Sequence, residues 1–216
     1  ARRTPDGLLR LAADPAKDQA YMLAGLSRET LARLRFPLGD VEKPRVRAIA
    51  AEHDLPVAQT PDSQDLCFLA GTGRAAFLAR HGGLGERPGD IVDGDGRVLG
   101  RHRGAHHFTV GQRRGLEVGG AGEPLYVLRT DAAANTVTVG PRAALATSVV
   151  RVREARLHAP GDEVSAVKLR YRAPAVACTL RGDTIALDEP VHGAAPGQTA
   201  VFLRGDAVLG CATIAA

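Results

Sequence analysis

Apolar positions follow two different spacings along this chain, and the change falls near Gly82. Before it, the spacing is helical. Asp14 followed by Pro15 predicts a helix start, because proline is tolerated where the first N–H has no helical partner. Tyr21, Met22, Leu23 and Leu26 then supply a short apolar face. Lys43-Pro44 opens a second predicted helix, Arg45 to His53, with Val46, Ile49 and Ala50 on one side. A third fits Arg74 to Arg80, with Phe77 and Leu78 inward. The extreme N-terminal stretch reads differently. Thr4-Pro5-Asp6-Gly7 is a turn before Leu8-Leu9-Arg10-Leu11, which looks like half a hairpin whose partner strand lies upstream.

After Gly82 the period shortens to that of strands. Asp90-Ile91-Val92 and Arg97-Val98-Leu99 flank Asp93-Gly94-Asp95-Gly96, a predicted hairpin. Leu125–Leu128 and Thr136–Val139 flank a second turn over 131–135. From Val149 onward, candidate strands follow at short intervals: Val149–Leu157, Ala166–Tyr171, Val176–Arg181, Thr184–Leu187, Thr199–Leu203 and Ala207–Ile214. That rhythm predicts a small antiparallel barrel.

Composition narrows the classes. Hydrophobic residues make up 44% of the chain, enough for a core, but aromatics are 4% and Trp is absent, so that core is aliphatic. No apolar run is long enough to cross a bilayer. No secretory h-region is visible at the start. The net charge of +4 permits nucleic-acid binding without requiring it, since an Ala-, Gly- and Arg-rich composition with lysine only at 17, 43 and 168 explains it equally well. Three widely spaced cysteines form neither a disulfide framework nor a Cys-x-x-Cys site, which fits a reducing, cytoplasmic compartment.

Candidate chemistry concentrates at few places. Cys178 and Cys211 lie within strand patterns and read as buried structural thiols. Cys67 follows the turn-forming Pro61-Asp62-Ser63 cluster, at a loop edge where a substrate can reach it. Asp62 and Asp65 nearby would raise its pKa, so the residues alone leave a catalytic and a structural role both open. His102, His106 and His107 cluster without further ligands at metal spacing, and read as a solvent- or RNA-facing loop. Asp93-Gly94-Asp95-Gly96 lacks the later bidentate acid of a calcium loop and reads as a turn. Lys17-Asp18-Gln19 opens the first helix, Gln112-Arg113-Arg114-Gly115 is a basic turn, and Arg170-Tyr171-Arg172 joins guanidinium groups to a ring suited to phosphate and base contact.

Taken together, several stretches resemble the bacterial tRNA-specific 2-thiouridylases. They are Lys17-Asp18-Gln19-Ala20-Tyr21, Phe36-Pro37-Leu38-Gly39, Lys43-Pro44 with Val46-Arg47, Pro61 to Phe68, Pro88 to Val92, His106 to Arg113, Arg170-Tyr171-Arg172 and Pro196-Gly197-Gln198. They keep the family's order across nearly the whole chain. The resemblance implies an α+β, mainly β chain. Residues 1–73 would be a helical remnant of an α/β PP-loop catalytic domain, 74–143 a central β-rich domain, and 144–216 a tRNA-binding β-barrel. It implies that ATP, with Mg, activates the C2 oxygen of an anticodon wobble uridine. Cys67 would carry the incoming sulfur as a persulfide received from a cysteine desulfurase or relay protein. Lys17, Asp18, Gln19, Arg170, Tyr171 and Gln198 would contact tRNA. The family's Ser-Gly-Gly-x-Asp-Ser phosphate loop, and the second cysteine that can pair with the persulfide cysteine in a disulfide, do not occur in these 216 residues. ATP binding is therefore expected upstream of residue 1, with no cofactor on this piece and no thiolation by it alone. The alternative is a non-catalytic RNA-binding module built on the barrel and basic loops. A rhodanese-type thiol transferase would leave Arg170, Tyr171 and Gln198 unexplained.

Overall fold

The computed structural model describes residues 1–61, 74–83, 85–116, 118 and 123–215. The chain folds as two compact units. One joins Ala1–Pro61 to Ser148–Pro190 and Pro196–Ala216; the other holds the described residues within Asp62–Thr147 together with Val191–Ala195. No helix among the described residues is long and apolar enough to cross a membrane.

The first unit is built on a closed six-stranded antiparallel barrel. It opens with a hairpin, β1 (Arg2–Arg3) against β2 (Leu9–Arg10). Gly7, at φ +85°, closes the turn by donating its N–H to the Thr4 carbonyl. Both hairpin strands therefore lie within this chain, which corrects the expectation of an upstream partner. β1 is only two residues long, too short to register as a strand by alternation. The barrel strands are β7 (Ala146–Leu157), β8 (Ala166–Lys168), β9 (Val176–Arg181), β10 (Thr184–His192), β11 (Thr199–Arg204) and β12 (Ala207–Ile214). Their order is β12-β11-β8-β9-β10-β7, and β12 pairs again with β7 to close the ring. β2 then adds outside β12.

β11 and β12 are buried on both faces, which explains their nearly unbroken apolar sequence. Phe202 and Ala200 occupy one face of β11. Val201 and Leu203 occupy the other, where they join Leu9, Ala20, Ala24, Leu31, Val208 and Cys211 in one core. The N-terminal helices thus share their core with the barrel. Each fully buried Leu or Val there stabilises by about 1.5–3 kcal/mol.

The helices in that layer are short. Asp14 caps Pro15–Lys17 by accepting from the Ala16 N–H at 2.9 Å, but the segment is a single 3-10 turn, not the start of a longer helix. α1 (Ala20–Leu23) follows after a break. α2 (Arg28–Arg33) is capped by Ser27, whose Oγ accepts from the Thr30 N–H; apolar spacing does not predict it, because only Leu31 is buried along it. α3 (Lys43–Glu52) coincides with the expected second helix.

In the second unit, α4 spans Arg74–Gly82. β3 (Gly89–Val92), β4 (Val98–His102), β5 (Tyr126–Asp131) and β6 (Thr136–Gly140) form a four-stranded sheet of order β4-β3-β6-β5. Both expected hairpins are present, and β3 pairs with β6 in parallel. Asp93 Oδ1 accepts from the N–H groups of Asp95 and Arg97, so this acidic run is a side-chain-braced turn. Ile91, Val127, Val137 and Val139 are fully buried in the core of this unit. Asn135, at φ +53°, donates through Nδ2 to the carbonyls of Arg87 and Pro88.

One histidine of the cluster, His102, departs from its expected place in a loop. His102 is buried at the end of β4, its ring 5.5 Å from that of Phe108. Burial pushes its pKa below the usual value, which favours the neutral imidazole. His106 and His107 stack on each other at 4.1 Å. His102 sits on the buried phase of a strand, and it is the phase of the pleat that sets its environment.

Candidate nucleic-acid interface

Three segments far apart in sequence meet on the first unit. The first runs from Lys17 to Tyr21. Lys17 and Gln19 are exposed, whereas Asp18 between them is buried. Asp18 Oδ1 accepts from the Ala12 N–H at 2.7 Å and Oδ2 from the Ala20 N–H at 3.3 Å. Its carboxylate braces the chain from inside. Asp14 adds a second brace, its Oδ2 accepting from the Lys43 N–H at 3.0 Å. That backbone donor, more than any other group, holds the Asp14 carboxyl below the usual carboxylate range. The turn bearing Lys17 is thereby tied to the first residue of α3.

The second segment is Arg170-Tyr171, both half-buried. The expected strand Ala166–Tyr171 ends at Lys168, and the two residues lie in the turn that follows, with the Ala173 N–H donating to the Arg170 carbonyl. The third is Gln198-Thr199 at the start of β11, where the Gln198 carbonyl accepts from the Ile214 N–H at 2.8 Å. Gln198 Oε1 is buried with no hydrogen-bond partner among the described residues.

Tyr21 links all three. Its hydroxyl donates to the Thr199 carbonyl at 2.7 Å, and its ring lies 6.0 Å from that of Tyr171, tilted by 54°. Burial pushes the Tyr21 pKa up, and the positive charge of Arg170 opposes that shift. The phenol therefore stays a donor at neutral pH. Pattern reading puts Tyr21 on an apolar face and assigns it no separate role. The available signal is that it is one of three tyrosines in an aromatic-poor chain.

The arrangement suits a nucleic acid. The positive charge of Arg170 acts on a tilted pair of rings, Gln198 with its unused amide acceptor is next in sequence to Thr199, and Lys17 lies four residues before Tyr21. Cys67 lies outside the described residues. Cys178 and Cys211 are buried free thiols. Burial, with Asp188 nearby, pushes Cys178 up to about 11, and burial raises Cys211 as well. Neither is a nucleophile at neutral pH.

Comparisons with known proteins cover almost the same span. The family model described as tRNA methyl transferase HUP domain matches residues 2–71. The tRNA methyl transferase PRC-barrel domain matches 75–141, and the aminomethyltransferase beta-barrel domain matches 147–214. A curated relative from Rhizorhabdus wittichii, named tRNA-specific 2-thiouridylase MnmA, is 48% identical over 203 residues, which are 94% of this chain and 54% of the relative. Proteins of the same name from Salinispora tropica and Thermobifida fusca are each 48% identical, over 240 and 223 residues. These alignments take in 100% and 99% of this chain but 64% and 60% of those relatives. The chain thus spans little more than half the length of the curated relatives it matches.

Proposed function

The chain belongs to the tRNA-specific 2-thiouridylase family, and we propose on that footing that it supplies the tRNA-gripping surface and the sulfur-carrying thiol of a wobble-uridine thiolase. Cys67 holds sulfur as a persulfide, received from a cysteine desulfurase or relay protein. ATP, when bound, would supply an adenylyl group to the C2 oxygen of the uridine with release of pyrophosphate, which makes that oxygen a leaving group. The outer sulfur of Cys67 then forms the new bond to C2 as AMP departs. The S–S bond breaks when a second thiol attacks Cys67, leaving a disulfide. That second thiol lies outside these residues, because Cys178 and Cys211 are buried in the barrel unit.

ATP and its magnesium have no holder among the described residues. Those residues form no cluster of three or more metal-ligating acids, histidines or cysteines, and the chain lacks the Ser-Gly-Gly-x-Asp-Ser run. The nucleotide chemistry is therefore assigned to polypeptide outside these residues, and the 216 residues alone are expected not to thiolate tRNA. Lys17, Gln19, Arg170, Tyr171 and Gln198 contact tRNA, while Asp18 positions its neighbours. The reaction belongs with cytoplasmic tRNA.

One observation supports this reading above all: Tyr21 touches both Tyr171 and the Thr199 carbonyl, which brings together the segments that bear Lys17–Gln19, Arg170-Tyr171 and Gln198. Incubation with a persulfide donor followed by intact-mass measurement tests it. One added sulfur atom, abolished by Cys67→Ser, is expected. A folded chain that binds tRNA but takes up no sulfur would be a non-catalytic RNA-binding module.

A further inference from the structure

The first unit carries a second basic feature that the contact cluster does not use. A cleft of about 530 Å³ opens beside the β1–β2 hairpin, walled by Arg2, Arg3, Arg10, Arg35, Phe36 and Asp40. Arg2 and Arg10 are already engaged: Arg2 Nη1 reaches Asp40 at 3.1 Å and Nη2 reaches Asp206 at 3.0 Å, while Arg10 Nε donates to Asp206 at 2.5 Å. Arg3 and Arg35 differ. Arg3 Nη1 donates to the Ala32 carbonyl, and Arg35 Nη1 donates to the carbonyls of Ala32 and Leu34. Among the described residues no carboxylate pairs with either, and Arg3 Nε is buried without a partner. Two full charges thus face one cleft with only neutral acceptors to balance them.

A neighbouring cleft shares Arg35 and Phe36 and continues past Lys43 to Lys17. The two clefts together present six cationic side chains against the two carboxylates of Asp14 and Asp40. Asp14 is held by backbone donors, and Asp40 is bound to Arg2. Both clefts are rich in cationic side chains, and in the first of them Arg3 and Arg35 meet only neutral acceptors. Guanidinium groups pair with phosphate oxygens in a two-pronged geometry, and a ring such as Phe36 keeps water from one side.

We infer that the Arg3–Arg35 cleft is a second phosphate site, seating a backbone phosphate of the same tRNA whose other contacts are made at Lys17 and Arg170. This rests on the tRNA reading above and extends its footprint to a part of the chain that the contact cluster leaves unassigned. The contact is to phosphate and so is indifferent to base sequence.

Binding of the 216-residue chain to tRNA, measured across a salt series by fluorescence anisotropy, tests this. Arg35→Ala is the main variant, because Arg35 is exposed and its side chain reaches only nearby carbonyls; Arg3→Gln is the second. Each is expected to weaken binding roughly 5- to 10-fold near 0.1 M salt and to lower the slope of log K against log salt by about 0.7–0.9. Equilibrium dialysis with ATP and with inorganic phosphate forms a parallel arm. Variants that lose ATP or phosphate but keep the tRNA slope would make this a free-nucleotide site and overturn the proposal. An unchanged slope in Arg35→Ala and Arg3→Gln, with Arg170→Ala still lowering it, sinks the cleft alone. A chain with no salt-dependent tRNA binding at all sinks the underlying reading with it.

Discussion

The Tyr21 hydroxyl donates a 2.7 Å hydrogen bond to the Thr199 carbonyl, joining a four-residue helix to the first residue of β11. The same ring lies against that of Tyr171, so bond and ring can be tested apart. Tyr21→Phe keeps the ring and removes the bond. It should cost about 0.5–1.5 kcal/mol of stability and leave tRNA binding nearly intact. Tyr21→Ala removes the ring as well, so tRNA affinity should fall as it does for Tyr171→Ala. Calorimetric melting and anisotropy read the two effects separately. Equal losses of affinity in both variants would show that the hydroxyl, not the ring, orients Tyr171.

Asp206 makes a comparable junction at the turn between β11 and β12. Its carboxylate receives Arg10 Nε and Arg2 Nη2, and its carbonyl accepts from the Leu11 N–H at 2.8 Å. The turn between β11 and β12 is thereby clamped to the N-terminal hairpin. Asp206 is partly exposed, so Asp206→Asn should cost only about 1 kcal/mol at low salt. The gap between variant and parent should narrow in 1 M salt, where the Debye length is roughly 3 Å. A gap that salt does not change would assign the clamp to hydrogen-bond geometry instead of charge.

Much of this architecture was legible in the sequence. All six barrel strands stood out because strand period and turn residues alternate cleanly after Val149. Both central hairpins stood out because acidic or Asn-bearing turns separate them. The junctions were not legible. The β1 strand is two residues long, and its pairing depends on the turn closed by Gly7. Helix α2 buries one leucine and leaves no apolar stripe. At the interface, family resemblance named Asp18 as a contact. The fold buries it, because Ala12 and Ala20 both need an acceptor. His102 likewise looked like a loop residue, since burial along β4 depends on the phase of the pleat and on Phe108 beyond it.

Thiol chemistry reads the burial of Cys178 and Cys211. With a pKa of about 11, only about one Cys178 side chain in a thousand is ionised at pH 8. Iodoacetamide at pH 8 should therefore spare Cys178 and Cys211 in the folded chain, as peptide mapping would read. The raised Cys178 pKa also has a linkage consequence. Its contribution to stability is present below pH 9 and is lost as pH rises from 9 towards 11, where the unfolded chain releases the proton first. Rapid alkylation of Cys178 in the native protein would contradict its burial.

Two histidines set the opposite limb. Burial lowers the pKa of His102 in the central unit and of His158 in the barrel unit. A depressed folded pKa means that the unfolded chain binds the proton more readily. Stability is then present above pH 6.5 and is lost as pH falls below it. The melting temperature should decline between pH 7 and pH 5. His102→Gln and His158→Gln combined should flatten that decline, and calorimetry across the range reads the slope. A parent slope unchanged by both substitutions would move the acid sensitivity elsewhere.

Gly210 controls closure of the barrel. Its φ is +148°, and a Cβ added there would lie 2.1 Å from the Arg156 carbonyl oxygen and 2.9 Å from Leu157 Cα. Both obstacles are backbone, so no rotamer change relieves them. Gly210 is paired with Leu157 where β12 meets β7, so the clash falls on the seam that completes the ring. Gly210→Ala should therefore cost roughly 2–4 kcal/mol, combining overpacking with backbone strain. The neighbouring Cys211 serves as a reporter, since it is buried and its backbone pairs with Arg156 on the same seam. Alkylation of Cys211 should become measurable at pH 8 in Gly210→Ala, tRNA affinity should fall with it, and Cys178 should stay protected on β9 if the damage is confined to the seam. Gly205→Ala, in a turn where an added Cβ meets nothing within 4 Å, is the control: it changes a positive-φ glycine at φ +59° without touching the closure. Similar Cys211 exposure in both variants would mean that the barrel opens through general loss of stability, with no special part played by the β7–β12 contact.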